Sequence, residues 1–277
     1  MKISEDSIFI FIATSQGRLE DRFLYDVSYG VAVLKSKGVA DKNIVIITDA
    51  TKEIIVAKCP NMSDAYFCTS SSFESVIEGA ECSNLFVVSS CHGSVNGIDS
   101  VQPIKPSPFN QAIMNNKYAK NVLVFLGQCY AGIFNFMDVR DDNKLIVYIG
   151  ATGIDTSFSY KLNGVPWVAN ISVFALFRWI ETPLDIDGDG ICSITDLYKY
   201  VSLFTNNVTK DIEKNRTSHL VDAFVRLKME EMRASAAGIS STSQITRDAI
   251  ETIRNYSIPH QSPWMLNAIA AGSMYIE

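Results

Sequence analysis

The chain reads as an α/β fold, a mainly parallel sheet covered by helices on both faces. Three observations predict it. Apolar runs of strand length recur between residues 7 and 150, among them Leu85-Phe86-Val87-Val88 and Val122-Leu123-Val124-Phe125-Leu126. These runs are continuously apolar rather than alternating, as strands buried on both faces are. Segments of helical spacing separate them, and strand-helix-strand alternation at this spacing implies parallel pairing.

The elements follow in order. Ser7 to Thr14 is the first strand. Glu20 to Lys37 is an amphipathic helix with Phe23, Val27, Val31 and Leu34 on one face, and Gly38 closes it as a C-cap does. Asn43 to Thr48 is a second strand, and residues 49 to 68 read as irregular. Ser70-Ser71-Ser72 offers capping hydroxyls to a short helix ending near Gly79. The Leu85 strand follows, then a loop with three prolines from Val101 to Pro108, then a helix near Asn110 to Lys117. The Val122 strand and a strand over Leu145 to Ile149 complete the alternating part. Helical patterns then cover Trp167 to Ile180, Ile194 to Phe204, Ser218 to Ala234 and Ser243 to Tyr256, with Ser273 to Ile276 as a returning edge strand. The segment Gly238 to Ser243 is too short for a domain linker, so residues 1–277 are expected to form one domain.

Bulk properties narrow the function. With 277 residues the chain is long enough to bury a sizeable core. A net charge of −6 without a basic cluster argues against nucleic acid and anionic membranes as partners. No apolar run reaches the ~18 residues that span a bilayer. The amino terminus enters a strand directly, without the pattern of a secretory signal, so a cytoplasmic protein, bacterial in origin, is expected. Six cysteines (59, 68, 82, 91, 129 and 192) include no C-x-x-C pair, which speaks against a thiolate zinc site. Apart from Cys129 they read as buried apolar thiols. His219, within a helical pattern, and His260, beside Pro259, read as structural or solvated.

Chemistry concentrates at two strand ends. Ser90-Cys91-His92-Gly93-Ser94 follows the Leu85 strand, and Gly127-Gln128-Cys129-Tyr130-Ala131-Gly132 follows the Val122 strand. In an open α/β sheet, ligands bind outside the carboxyl ends of the strands. A thiol nucleophile and an imidazole proton carrier would there face one crevice. The small residues Ala131 and Gly132 leave room for a substrate backbone, and Gly93 lets its amide approach a carbonyl closely.

At these residues the chain resembles the caspase-like cysteine peptidases, and within them the legumain (asparaginyl endopeptidase) family. His92-Gly93-Ser94 with Gly97 is similar to that family's histidine motif, and Cys129-x-Ala131-Gly132 to its cysteine motif. Ala13 to Asp49 follows the family pattern through Ser15, Gly17, Arg22, Asp26, Gly38 and Ile44-Val45, and Thr69 to Gly79 also fits; the likeness covers residues 7 to 150. It implies a caspase-like three-layer α/β/α fold and a cysteine endopeptidase acting on protein or peptide substrates. Cys129 would be the nucleophile, His92 the general acid/base, and the Gly93 and Cys129 amides the oxyanion donors. Arg22 matches an arginine that lines the family's P1 pocket, which implies cleavage after Asp or Asn. Legumains carry an acid two residues before the cysteine, where this chain has Gly127; Asp155, in the loop Thr152 to Ser159, is the candidate acid for another wall. A transpeptidase using the same thioester and a catalytically silent, calcium-stabilised interaction module are the alternatives. Nothing points to an organic cofactor or to an oligomeric state.

A second motif lies at residues 185–196. Asp185, Asp187 and Asp189 take positions 1, 3 and 5 of a calcium loop, Gly190 the turn at 6, the Ile191 carbonyl 7, Ser193 9 and Asp196 12. Three carboxylates in five residues repel unless screened, so a structural calcium ion is expected there.

Overall fold

The structure is a computed structural model and describes residues 6–237 and 261–275. Seven strands form the main sheet: β1 (Ser7–Ile12), β2 (Ile44–Ile47), β3 (Tyr66–Cys68), β4 (Asn84–Ser89), β7 (Asn121–Leu126), β8 (Leu145–Gly150) and β11 (Trp264–Leu266). Their order is β11-β8-β7-β4-β1-β2-β3, and every neighbouring pair is parallel except β11 with β8. Two-residue strands β5 (Gly93–Ser94) and β6 (Gly97–Ile98) make a hairpin after β4, and β9 (Ser159–Lys161) pairs with β10 (Val168–Asn170).

Alternate residues of the central strands feed two cores. Phe9, Phe11, Phe86, Val88, Leu123, Phe125, Val147 and Ile149 pack on one face under α1 (Asp21–Ser36), α2 (Lys52–Lys58), α5 (Ile171–Glu181) and the start of α6 (Ile194–Ala236). Ile10, Ile12, Leu85, Val87, Val122, Val124, Leu126, Ile146 and Tyr148 pack on the other under α3 (Phe73–Glu78) and α4 (Pro106–Asn115). This is the three-layer α/β/α arrangement with a mainly parallel sheet that the sequence predicts. Nearly continuous burial along β4 and β7 explains why those runs are apolar at every position.

Several expected elements are corrected. Residues 49 to 68 are not irregular: they hold α2, a 3-10 turn Pro60–Met62 and the edge strand β3. The serine hydroxyls at 70–72 do not cap α3 but form a 3-10 turn before it, in which the Ser72 hydroxyl bonds back to the Thr69 carbonyl. The helix expected from Trp167 starts only at Ile171, because Val168–Asn170 pairs with β9. The expected break between Ile194 to Phe204 and Ser218 to Ala234 is absent; α6 is continuous. The returning edge strand is Trp264–Leu266 rather than Ser273 to Ile276; Ser273 ends a short helix, and Tyr275 makes a single bridge to Ser193. The helix expected over Ser243 to Tyr256, His260 and the His219 side chain lie outside the described residues.

Two compact units divide the chain. One comprises Met1–Thr205 with Gln261–Glu277, the other Asn206–His260. The first holds both cores and every residue singled out for chemistry. In the second, the described part of α6 exposes Val225, Met229 and Met232. Among the described residues no helix is long and apolar enough to cross a membrane. All six cysteines are free; Cys59, Cys82 and Cys91 are buried, while Cys68, Cys129 and Cys192 are half-buried.

Candidate active site

The register of the two central strands places the predicted pair. β4 and β7 run parallel with Ser89 opposite Leu126, so His92 and Cys129 each lie three residues beyond the last matched pair. Gly93 presses on the cysteine loop: a Cβ there would lie 2.3 Å from the Cys129 carbonyl oxygen and 2.4 Å from Gln128 Cγ. No side chain fits, so glycine is what lets the two strand ends meet. Tyr130, in the left-handed region at φ 56°, turns the chain out of β7 and into a 3-10 turn over Ala131–Phe136.

The loop after β8 is laced along the cysteine loop by main-chain bonds. Gly132 N donates to Gly153 O (3.0 Å), Tyr130 N to Asp155 O (2.7 Å), and Ser157 N to the Cys129 sulfur (3.3 Å). Asp155 therefore does stand beside the cysteine loop, but through its backbone; its exposed carboxylate accepts from the Thr156 amide (2.7 Å). Gln261 holds the next turn of the loop by accepting from Phe158 N (2.8 Å). The Cys129 amide donates to no acceptor among the described residues, which leaves it available to an oxyanion.

His92 is partnered by a residue that sequence reasoning passed over. Its Nε2 lies 2.5 Å from Glu20 Oε1, and its ring meets the Phe23 ring edge-on at 4.9 Å. The other Glu20 oxygen accepts from Arg22 Nε (2.6 Å), while Arg22 Nη1 donates to Ser159 Oγ (2.6 Å) and the guanidinium covers the Phe23 ring at 4.1 Å. The Arg22 hydrogen bond above all, with that of His92, holds the Glu20 carboxyl below the usual range against a smaller effect of burial. Glu20 is the N-cap residue of α1, where an acid is commonplace, but it makes no cap bond and turns instead to the histidine and the arginine. An acid two residues before Arg22 was the only available signal. His92 and Cys129 share no hydrogen bond among the described residues: the imidazole is with Glu20 and the sulfur with Ser157. Unliganded sites commonly hold such pairs apart until substrate seats.

Behind the site lies a buried carboxylate. Asp26 of α1 is 2% exposed and accepts from Trp167 Nε1 (2.7 Å), Asn170 N (3.2 Å) and Ser90 Oγ (3.1 Å). Burial, opposed by these hydrogen bonds, pushes its carboxyl up to about 7. The folded protein then retains a proton, between about pH 4 and pH 7, that the unfolded chain has released, so stability falls as pH rises through that window. Asp26→Asn carries no such proton. Its melting temperature relative to the native protein is expected to climb as pH is raised from about 4 to about 8, equivalent to roughly a few kcal/mol. A difference that stays constant across that range would show that Asp26 does not titrate there.

The 185–196 loop is distant in sequence from these groups and has its own geometry. Oxygens of Asp185, Asp187 and Asp189 lie within 4.8 Å of one another, a donor set that fits a hard cation. Asp185 accepts from the Gly188 and Gly190 amides (2.7 and 2.8 Å), with both glycines at positive φ. Asp187 pairs with Lys199 (2.8 Å), and Asp189 accepts from Ile191 N (2.8 Å). Asp196 stands apart from that cluster. It is fully buried, and its oxygens accept from Ile186 N, Asp187 N, Ser193 N and Ser193 Oγ, which ties the two ends of the loop together. Burial raises the Asp196 carboxyl, but those bonds outweigh it and hold it below its usual range. Ser193 is likewise occupied by Asp196 rather than facing the carboxylate cluster.

No protein-family model matches the sequence, and no curated protein matches it. Among solved structures the chain is similar to caspase-1 from Spodoptera frugiperda, at 10% identity over 100% of this chain and 90% of that one, with a TM-score of 0.49. It is similar to drICE at 14% identity over 75% of this chain and 84% of that one, with a TM-score of 0.39. A Plasmodium falciparum pyrroline carboxylate reductase with NADP bound overlaps at 14% identity over 91% and 77% of the two chains, with a TM-score of 0.28. None of these overlaps reaches half on that scale, so the fold stated here stands on this chain's own strand order and register.

Proposed function

We propose that the chain is a cysteine endopeptidase of the caspase-like type, with Cys129 as nucleophile and His92 as general acid/base. The observation that carries this reading is the register: two adjacent parallel strands end in a histidine and a cysteine at matched positions, with Gly93 packed against the Cys129 carbonyl. In the acylation step the Cys129 thiolate adds to the scissile carbonyl, and the Cys129 amide donates to the oxygen that takes up the charge. The C–N bond then breaks as His92 gives its proton to the leaving amine. Water attacks the thioester as His92 takes a proton back, and the carboxylic acid product leaves. Glu20 orients the imidazole. An activity-based thiol probe should label Cys129 in the native protein and lose that labelling in His92→Ala; equal labelling in both would remove the histidine from the mechanism.

The same reading assigns Arg22 to the recognition of the residue before the cleaved bond. Gly127 removes the acid expected there, but Glu20 balances the guanidinium from the other side. A paired arginine still repels Lys and Arg and accepts Asn as readily as Asp, because the incoming group need not bring the compensating charge. A peptide library is expected to show cleavage after Asn or Asp that disappears in Arg22→Ala while a small thiol reagent still reacts at Cys129. Cleavage after Lys or Arg would overturn the assignment.

We also propose that Asp185, Asp187 and Asp189, with the Ile191 carbonyl, take a structural calcium ion, supported by the carboxylate spacing and the two positive-φ glycines. Ser193 and Asp196 would then serve by holding the loop closed. Calcium at ~100 times its dissociation constant would stabilise the fold by about 2.7 kcal/mol. A chelator should therefore lower the melting temperature by several degrees, and Asp187→Ala should abolish the response to added calcium. Melting curves that ignore both chelator and calcium would leave a solvated acidic turn.

A further inference from the structure

We infer that Asp26 and Asn170 form a buried brace that sets the position of the cysteine loop against the histidine loop, which makes Asp26 a positioning residue for the site. The inference rests on Cys129 and His92 being the reacting pair. The contacts run to both loops. Asp26 accepts from Ser90 Oγ, two residues before His92 at the end of β4. Asp26 also accepts from the Asn170 amide, and the Asn170 side chain donates to the Gly127 carbonyl (2.7 Å), two residues before Cys129. The same Asn170 amide group reaches Ser157 Oγ at 3.4 Å, and the Ser157 main chain is what meets the Cys129 sulfur. The Asn170 side-chain oxygen meanwhile caps α5 through Ser172 N and Val173 N (both 3.1 Å), so the brace is anchored to a rigid helix.

A chain of hydrogen bonds therefore runs from the histidine loop through Ser90, Asp26 and Asn170 to Gly127 and Ser157 on either side of Cys129. The links from Ser90 to Asp26, from Asp26 to Asn170 and from Asn170 to Gly127 are buried, where such bonds are strong and their loss is costly. Ordinary packing does not require it. A buried carboxylate with no cation bonded to it is expensive, and an apolar residue at position 26 of α1 would satisfy the core. Among the described residues Arg22, one helical turn earlier, is the charged group that bears on Asp26; Ser90, Trp167 and Asn170 face it from the loop after β4, the 162–167 loop and β10. Ionised, Asp26 accepts strongly from all three donors. Protonated, it must turn one oxygen into a donor, and one of those bonds is given up or reversed. Its state is thereby communicated to both strand ends, and burial places the change near neutral pH.

Two observables on the full chain test this without relying on peptide cleavage. The Trp167 indole N–H resonance, assigned with Trp167→Phe, reads the ionisation of Asp26 directly. The alkylation rate of Cys129 by iodoacetamide, measured by mass spectrometry at its own peptide, reads the site. Across pH ~5.5 to ~8.5 the indole resonance is expected to move with a midpoint near 7 in the native protein and to stay fixed in Asp26→Asn. The ratio of Cys129 alkylation rates, native over Asp26→Asn, is expected to change by about 2- to 30-fold across the same midpoint, the range for coupling through buried networks. Taking this ratio removes the thiol's own titration. An indole resonance that moves while the ratio stays flat would overturn the brace, as would a resonance that does not move in the native protein. Failure of the peptidase reading would look different: Cys129 alkylated with the expected dependence on Asp26, but no peptide cleaved.

Discussion

Cys129→Ala is expected to leave no measurable peptide hydrolysis in a protein that melts close to the native temperature. The fold loses little because Cys129 is half-buried at a strand end, outside both cores, and among the described residues its sulfur hydrogen-bonds with the Ser157 main chain alone. The chemistry loses its covalent intermediate, and with it the route by which one difficult step becomes two easier ones. His92→Ala is expected to lower kcat by about 10²- to 10⁴-fold, the usual contribution of a positioned general acid/base. The two losses are not additive, since a thiol without its proton partner and an imidazole without its thiol are alike inactive. Full activity in Cys129→Ala would end the assignment outright. Glu20 sharpens the test: a variant that frees His92 from Glu20 should lower kcat while a small thiol reagent still reacts at Cys129, whereas loss of a merely structural contact would not.

Gly127→Asp, which places an acid two residues before Cys129, is expected to prevent folding rather than to change specificity. The first side-chain atom at this position would lie 2.4 Å from Val173 Cγ2 and 2.5 Å from the Ser89 carbonyl oxygen. Ser89 cannot yield, because its carbonyl and its hydroxyl both accept from Gly127 N (each 3.1 Å) and it is paired between β1 and β7. Overpacking alone costs about 1–3 kcal/mol, and an unpaired buried carboxylate adds several more. A domain's whole stability is about 5–15 kcal/mol. Circular dichroism and the yield of soluble protein would read the loss; a well-folded Gly127→Asp with an altered cleavage profile would show that the loop is looser than its contacts indicate. The glycine is therefore part of how the strand ends pack.

Much of this is legible in the sequence. Strands β1, β4, β7 and β8 announce themselves because a strand buried on both faces must be apolar at every position, and their ends carry His92 and Cys129 as direct neighbours of that signal. Edge elements were less legible. Tyr66 in β3 is exposed, and Trp264, Met265 and Leu266 of β11 are all half-buried, so neither run has the periodicity that burial imposes. Val168–Asn170 reads as part of the helix beside it, because a three-residue strand paired with a segment outside the helix leaves no local trace.

What the sequence determined by itself was the layered α/β fold, the two strand ends and the spacing of the aspartate loop, since each rests on residues close together in the chain. Tertiary structure alone decided which side chains serve them. Glu20 lies 72 positions from the histidine it holds, and Asn170 lies 43 from the carbonyl it fixes beside Cys129. Asp26, one polar residue among the first turns of an amphipathic helix, reads as a match to a pattern until Trp167 and Asn170 close over it. Asp196 fits the twelfth position of a calcium loop by count, yet the folded chain spends its oxygens on four donors of the loop itself. Local pattern reflects the solvent and the backbone that each residue meets; hydrogen-bond partners brought together by sheet register and helix packing have no counterpart in it.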